Sequence, residues 1–373
     1  MRIGVVARCL NTAHLRGMGR YVFELLREST AQRDIEWRLF ADDPRHPVAT
    51  PAAARQETTV FSFRGDRFNL WEQLGLPLRV RGAGLDLLHC TEGSLPWWQP
   101  VPTVVTLHDT LEWDAPQDGA AARFYFDKLL PAALARCAAV ITISESSRRD
   151  IVARWPALES KLTVIPHGIA DDYFIDGPGG LPGSVQATVG NDPYIVYLGG
   201  PMARKRFDWA VQVLAACAKP DLHLVACGFG APARAAAQAD LPAALRHRVH
   251  FAPFLSDAEL LALYRSARAV LYPTLYEGFG FPAIEAQAAG VPAIFSAVSS
   301  LTELVGPLAL VVEPCDLQAW VAAVNRSLAL GAVERADLAR ASRTWAQGFS
   351  WRGSFERHLA VYRQVVGRHG VPQ

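Results

Sequence analysis

The chain has almost no net charge, few lysines and no long apolar run. Its 373 residues carry 37 basic and 36 acidic side chains, a formal charge of +1, with both signs spread through both halves. A protein that holds nucleic acid on a broad basic face lacks this balance, so nucleic acid is not an expected partner. Only Lys128, Lys161, Lys205 and Lys219 are lysines; nearly every other cation is arginine, and each lysine stands out. No uncharged apolar stretch reaches the roughly 18 residues of a membrane span. The opening MRIGVVARCL is broken too soon to read as a signal peptide. Six cysteines are scattered without a C-x-x-C pair or zinc-finger spacing, which predicts reduced, mostly buried thiols in a cytoplasmic protein. Attachment at the inner face of a membrane stays open. The sequence has no D-x-D, no H-E-x-x-H and no P-loop, so no metal site is expected. It has no G-x-S-x-G elbow, which argues against the common hydrolase fold.

What is present is a large apolar core. Half the residues are hydrophobic and a fifth charged, enough for two domains at the usual domain size. Short apolar runs alternate with helical spacing through the first half: Ile3–Ala7, Trp37–Phe40, Thr59–Phe63, Leu85–His89, Thr103–His108, Ala139–Ile143 and Leu162–Ile165 read as strands. Such runs predict a parallel sheet covered on both faces. The stretch Asp171–Pro193, with GPGGLPG, breaks the rhythm and reads as a linker. Strands then restart at Tyr194–Leu198, Leu222–Cys227, Arg248–Phe251, Ala269–Tyr272, Pro292–Ser296 and Ala309–Val312. The expectation is two doubly wound α/β, Rossmann-like domains, 1–170 and 194–349, joined by 171–193. A helix in 350–373, with Phe355, Leu359, Tyr362 and Val366 on one stripe, should pack back on the first domain. Such sheets bind ligands at the carboxyl ends of their strands.

Four strand ends carry chemistry. In Tyr276-Glu-Gly-Phe-Gly-Phe-Pro-Ala-Ile-Glu285, Gly278 and Gly280 suit a tight turn and Pro282 the first turn of a helix. Backbone amides of Gly278, Phe279, Gly280 and Phe281 at a helix start favour anions and sugar hydroxyls, and Glu277 and Glu285 frame the turn. The plainer alternative is that Glu285 complements the helix dipole and Glu277 is solvated. In Gly199-Gly200-Pro-Met-Ala-Arg204-Lys205-Arg206, an adjacent Arg and Lys at a strand end suit a diphosphate; the alternative is an exposed basic helix start. Arg16-Gly17-Met-Gly19-Arg20 begins like a dinucleotide fingerprint but has Val22 where the third glycine belongs, which excludes a nicotinamide dehydrogenase reading. His108 and Asp109 end the strand from Thr103 and point to the same strand-end region; the alternative is a satisfied core histidine.

These segments together resemble the family 4 glycosyltransferases of GT-B fold, and the likeness runs through nearly the whole chain. EGFGFPAIEAQAAGVPAI is similar to that family's E-x7-E segment, and GGPMARKRFDWAV to its Gly-Gly…Arg-Lys segment. RGMGRYVFELL, VVTLHDT, ITISESSRRDI and VIPHGI are weaker counterparts. Arg206 departs from the pattern, where Asn commonly follows the Arg-Lys pair, and so does Gln287, where Met is frequent. The resemblance implies retaining transfer of a hexose, of mannose or glucose type, from a nucleotide-diphosphate sugar used as co-substrate. It implies no metal or other cofactor, and GDP-mannose as the first donor to consider. Arg204 and Lys205 would hold the diphosphate, with Gly200 beside them. Glu285 would hold the ribose, and Glu277 with Gly278–Phe281 the sugar. Phe254 and Leu255 would flank the base. Gly17 and Gly19 would let the backbone approach the phosphate, and His108, with Asp109, would touch the sugar or the developing charge. The acceptor would be a glycan or lipid-linked glycan. Arg64, Arg67, Phe68, Trp71, Arg79 and Arg81 suit an anionic lipid surface, although WEQLGLP also reads as an ordinary amphipathic helix. A nucleotide-sugar epimerase on the same fold and a non-catalytic nucleotide-binding subunit remain the alternatives.

Overall fold

The computed structural model describes residues 1–369 apart from 13, 14, 16, 53, 63–66, 115–119, 176–180 and 182. The chain divides into two compact units, one formed by Met1–Gly168 with Trp351–Gln373 and the other by Ile169–Ser350. The C-terminal segment therefore belongs to the first unit, and the segment 171–193 lies inside the second. There Tyr173, Val185 and Val189 are buried.

The first unit holds one parallel sheet of seven strands: β1 (Arg2–Val6), β2 (Glu36–Ala41), β3 (Gln56–Val60), β4 (Leu87–Cys90), β5 (Thr103–Thr106), β6 (Ala139–Thr142) and β7 (Leu162–Val164), in the order β3-β2-β1-β4-β5-β6-β7. Every residue of β4, β5 and β6 is buried, as central strands covered on both faces require. The edge strand β3, QETTV, is mostly exposed. It begins three residues before the expected start at Thr59, because its polar sequence contains no apolar run to read. Trp71, Leu76, Val80, Tyr125 and Leu130 pack with β4, β5 and β6 residues in one buried cluster. The C-terminal helix, Trp351–His369, packs on the helix Gly17–Glu28 and on β4. Its buried stripe is Trp351, Phe355, His358, Leu359, Tyr362 and Val365; Val366, expected on that stripe, is only half-buried.

The second unit repeats the plan with six parallel strands: β8 (Tyr194–Leu198), β9 (His223–Cys227), β10 (Val249–Phe251), β11 (Ala269–Tyr272), β12 (Ala293–Ser296) and β13 (Ala309–Val312), in the order β10-β9-β8-β11-β12-β13. Its core joins Ile195, Tyr197, Leu214, Leu224, Leu271 and Ile294 to Trp320. Both sheets are doubly wound. Strand order reverses between β1 and β4 in the first and between β8 and β11 in the second, and a ligand crevice opens at the carboxyl side of such a reversal.

Candidate active site

In the second unit, the chain leaving β8 makes a single turn at Ala203–Lys205 and enters the helix Phe207–Ala216. Gly200 has φ +62°, and a Cβ there would stand 2.6 Å from the Gly228 carbonyl oxygen. The β8 loop can cross the β9 loop this closely only with glycine at that point. Arg206 is left-handed at φ 52°, ψ 53°, and this reversal turns the chain into the helix.

The chain leaving β11 meets this turn from the other side of the reversal. Leu275 N donates to the Arg204 carbonyl at 2.8 Å. The Arg204 guanidinium donates to the Tyr276 carbonyl and to Glu277 Oε1, both at 2.8 Å. Lys205 Nζ donates to the same Oε1 and, at 2.5 Å, to the Tyr272 hydroxyl, and it lies 4.7 Å from the Tyr272 ring centre. Thr274 Oγ1 donates to Oε1 at 2.8 Å. Two cations thus share one buried carboxylate oxygen, and the group keeps a net positive charge at the crevice. Burial, with Glu277 beside it, pushes the Tyr272 hydroxyl pKa well up, so Tyr272 stays neutral.

Seryl side chains hold the double-glycine turn. Glu277 N donates to Ser299 Oγ at 2.8 Å, and Ser300 Oγ reaches the Glu277 and Phe279 carbonyls at 2.7 and 2.8 Å. Gly280 has φ +107°, and a Cβ there would stand 2.3 Å from Leu301 Cδ2. The helix Phe281–Ala288 begins at this point. Glu285 is its fifth residue, and Tyr264 donates to its Oε2 at 3.2 Å. Glu277 and Glu285 are therefore anchored separately. Phe254 lies beyond the end of β10 and is exposed, and Leu255 is half-buried.

In the first unit, His108 lies two residues past the end of β5 rather than on the strand. Its Nε2 is 2.8 Å from the Thr91 carbonyl oxygen. A carbonyl only accepts, so Nε2 carries the proton and Nδ1 the lone pair. Burial pulls the imidazole pKa down, which keeps the ring neutral. Asp109 Oδ1 accepts from Leu111 N at 3.0 Å, a local cap on the turn that follows. Among the described residues a Cβ on Gly17 would meet nothing within 4 Å, whereas one on Gly19 would stand 2.7 Å from the Cys9 carbonyl oxygen. Gly17 is open to a neighbour, and Gly19 is needed for packing. One turn along that helix, the Tyr21 ring stands edge-on to His108, centres 5.4 Å apart.

Sequence reasoning did not foresee Tyr272, Thr274, Ser299 and Ser300 as the supports of Glu277, nor the ring cluster around His108. Tyr272 and Thr274 stand in the approach segment FLSDAELLALYRSARAVLYPTLYEGFG and the serines in SSLTELVG; only the fold connects them. Arg16 and Arg64 lie outside the described residues, as do the side chains of Arg67 and Phe68.

Comparison with known proteins identifies the family. Residues 15–173 match the family model Glycosyltransferase Family 4, and residues 184–345 match Glycosyl transferases group 1. The O-antigen chain mannosyltransferase B of Escherichia coli is 27% identical over 94% of this chain and 96% of its own. The MMP alpha-(1->4)-mannosyltransferase of Mycolicibacterium hassiacum is 28% identical over 72% of this chain and 66% of its own. The fold is similar to that of sucrose-phosphate synthase from Thermosynechococcus elongatus, with TM-score 0.75, 23% identity and 98% and 99% of the two chains covered. It is also similar to Anabaena HepE, solved with UDP and glucose, with TM-score 0.69, 17% identity and 96% and 98% covered. With both halves matched, two doubly wound sheets and an Arg-Lys pair set against the first glutamate of an E-x7-E segment, the chain belongs to the family 4 glycosyltransferases of GT-B fold.

Proposed function

We propose that this glycosyltransferase moves a hexose, with GDP-mannose the foremost donor, onto a glycan or lipid-linked acceptor of a surface polysaccharide, with retention at the anomeric carbon and without a metal ion. The observation that carries the reading is the sharing of Glu277 by Arg204 and Lys205 at the strand reversal of the second sheet. In the transfer, the bond from the sugar C1 to the β-phosphate oxygen breaks and the acceptor oxygen bonds to C1. The acceptor's proton passes to the leaving phosphate. Negative charge builds on phosphate oxygens, where a guanidinium fork and a mobile ammonium are most useful.

The other roles follow the family resemblance. Glu285, anchored by Tyr264, takes the ribose hydroxyls. Glu277 and the backbone of Gly278–Phe281 take the sugar hydroxyls, and Phe254 and Leu255 flank the base. Gly17, with open space at its Cβ position, admits the phosphate to the backbone. His108 presents its Nδ1 lone pair to the sugar, and Asp109 holds the loop beside it. In this reading Arg204 and Lys205 supply the charge neutralisation at the leaving phosphate. The names of the two mannosyltransferase relatives support the choice of sugar, and the O-antigen relative the class of acceptor.

A lipid-linked acceptor also fits the surface of the first unit. Leu70, Leu74 and Leu78 recur every fourth residue and are exposed. Trp97 is also exposed, and its backbone N–H is bound by Gln73. The Arg136 guanidinium lies 5.0 Å from the Trp97 ring centre, and Arg79 and Arg81 are exposed nearby in sequence. Apolar and cationic side chains together suit peripheral contact with an anionic leaflet. No described helix is long and apolar enough to cross a membrane.

The test is radiolabelled transfer from a donor panel of GDP-mannose, UDP-glucose, ADP-glucose and TDP-glucose, with and without EDTA. Transfer from GDP-mannose that survives EDTA is expected. Exclusive use of a UDP-sugar overturns the donor. Loss on chelation, restored by Mg²⁺ or Mn²⁺, overturns metal independence. Donor turnover without any acceptor points to an epimerase.

A further inference from the structure

Beneath His108, five fully buried side chains from four elements form an unbroken line of hydrogen bonds. They are Tyr21 on the helix Gly17–Glu28, His89 on β4, Thr106 on β5, and His358 and Tyr362 one turn apart on the C-terminal helix. The contacts are His358 Nδ1 to the Ser354 carbonyl at 2.8 Å, His358 Nε2 to the Tyr21 hydroxyl at 2.8 Å, and the Tyr21 hydroxyl to Thr106 Oγ1 at 2.9 Å. Two more follow: Thr106 Oγ1 to His89 Nε2 and His89 Nδ1 to the Tyr362 hydroxyl, both at 2.8 Å.

One carbonyl sets the direction of every bond. The Ser354 oxygen can only accept, so His358 Nδ1 carries a proton. Burial pulls the His358 pKa down to about 4 and that of His89 well below its ordinary value, so both rings are neutral. His358 Nε2 then bears a lone pair and must receive the Tyr21 proton. The Tyr21 oxygen, its only proton spent, receives from Thr106. Thr106 in turn receives from His89 Nε2–H, which leaves His89 Nδ1 to receive from Tyr362. The relay runs one way, from Tyr362 to Ser354, and the two histidines hold opposite tautomers.

The relay fastens the ring that touches His108. Tyr21 stands 5.4 Å from His108 at 85° and 4.9 Å from His167. His167 lies 5.6 Å from His108 and 5.6 Å from Trp351, the first residue of the C-terminal helix. We propose that Tyr21, Thr106, His89, His358 and Tyr362 are positioning residues for His108, the relay tying the seat of the C-terminal helix to the orientation of that imidazole. The inference rests on the reading of His108 as the sugar-facing histidine of the transfer.

Two measurements test it, and the first needs no substrate. In ¹⁵N-histidine-labelled protein at pH 7.5, long-range ¹H–¹⁵N spectra should show His358 protonated on Nδ1, and His89 and His108 on Nε2. The opposite tautomer at either His358 or His89 overturns the relay. The second uses Tyr362→Phe, whose ring packs on Trp37, His89 and His358, together with Tyr21→Phe and the double variant. Transfer is followed from GDP-mannose or UDP-glucose, whichever the enzyme turns over. Each single variant should lower kcat about 5- to 10-fold with the donor KM little changed, and Tyr362→Phe should shift the His108 resonances. The double variant should be no worse than the poorer single one, because either change interrupts the same line. Multiplying effects in the double variant, or kcat and His108 resonances unmoved while the Tm falls, overturn the proposal. Absence of transfer from every donor by the unsubstituted protein would instead discredit the transfer reading, leaving the tautomer result standing.

Discussion

At the strand reversal of the first sheet, Arg8 follows β1 and lies between Glu72 and Glu92, 3.3 and 3.4 Å from their carboxylates. At the reversal of the second sheet, Arg204 and Lys205 follow β8 and share Glu277. The first cluster has two carboxylates to one cation and is sealed: the Arg8 and Glu72 side chains are 5% and 1% exposed. Ser94 Oγ and the Cys9 N–H add hydrogen bonds to its carboxylates, and Trp71 covers the guanidinium at 4.8 Å. The second cluster has two cations to one carboxylate, and Arg204 is 28% exposed. One topology thus carries two kinds of ion cluster. The sealed one closes its cation between two buried carboxylates and holds loops together. The open one keeps surplus positive charge where an anion can reach it.

The largest contrast should come from removing the cation on each side. Arg8→Ala leaves Glu72 and Glu92 buried without their counter-charge, and breaking a buried pair in this way costs about 3–5 kcal/mol. Urea unfolding should show that loss, against less than ~1 kcal/mol for Lys205→Ala, whose Glu277 keeps Arg204 and Thr274. An Arg8→Ala protein of normal stability would mean the first cluster is not structural.

Activity should invert the order. Lys205→Ala and Arg204→Ala should each lower kcat about 100-fold, equivalent to ~3 kcal/mol of lost stabilisation at the leaving group. Their melting temperatures should stay close to that of the parent. Near-normal turnover in both would remove the diphosphate assignment.

Acid should act on the first unit through its histidines. His358 has a folded pKa of about 4 against roughly 6.5 unfolded. The unfolded chain therefore binds the extra proton first, and stability is lost as pH falls from about 6.5 towards 4. The full loss from this one group is of order 3 kcal/mol. The rings facing it are His89, Tyr21 and Tyr362, and a proton gained by His108 would oppose its protonation further. None of them supplies a negative charge to oppose the loss. Melting curves between pH 7.5 and 4.5 should show the decline, and His358→Gln should flatten it. An unchanged slope would show that His358 is not held neutral.

The second unit was the more legible in sequence, for a physical reason. Ala269–Tyr272 and Ala309–Val312 are strands with the expected bounds because each is a short apolar run between turns. Arg204, Lys205 and Glu277 converge because they end adjacent strands of one sheet, which motif and topology alone imply. The surroundings of His108 had no such signal. Tyr21 and His358 are 337 residues apart, and His89 and Tyr362 are 273 apart. No local period marks residues that meet only when the C-terminal helix is seated. Glu72 and Glu92 are likewise brought to Arg8 only by the fold.

The two departures from the family pattern are also explained by neighbours. Gln287 is fully buried. Its amide donates to the Leu304 carbonyl at 2.8 Å, and its Oε1 accepts from Gly306 N at 3.0 Å. Gln287→Met, which restores a frequent family residue, should destabilise the second unit by about 2 kcal/mol because a buried N–H loses its acceptor. Unfolding of the variant by urea checks this, and no change would mean the loop finds other partners.

The smallest effect belongs to Arg206. Its left-handed backbone, φ 52°, is a conformation that Asn tolerates better than most residues, which suits the Asn that the family pattern implies here. The arginine is retained here with a fork onto Asp208, at 2.8 to 3.1 Å, and with its guanidinium 5.3 Å from the Trp209 ring centre. An exposed pair of this kind is worth roughly 0.5 kcal/mol, similar to what Asn would gain in backbone preference. Arg206→Asn should therefore change stability by less than ~0.5 kcal/mol. Arg206→Val loses the pair and forces a β-branched residue into the left-handed region, at a cost of about 1–3 kcal/mol. Lys205 is the preceding residue, so Arg206→Val should also reduce turnover by displacing the ammonium from Glu277. Measuring the two variants side by side separates the backbone requirement from the side-chain contacts. If Asn and Val behave alike, the turn does not depend on the left-handed residue, and Lys205 is positioned by its own contacts to Tyr272 and Glu277.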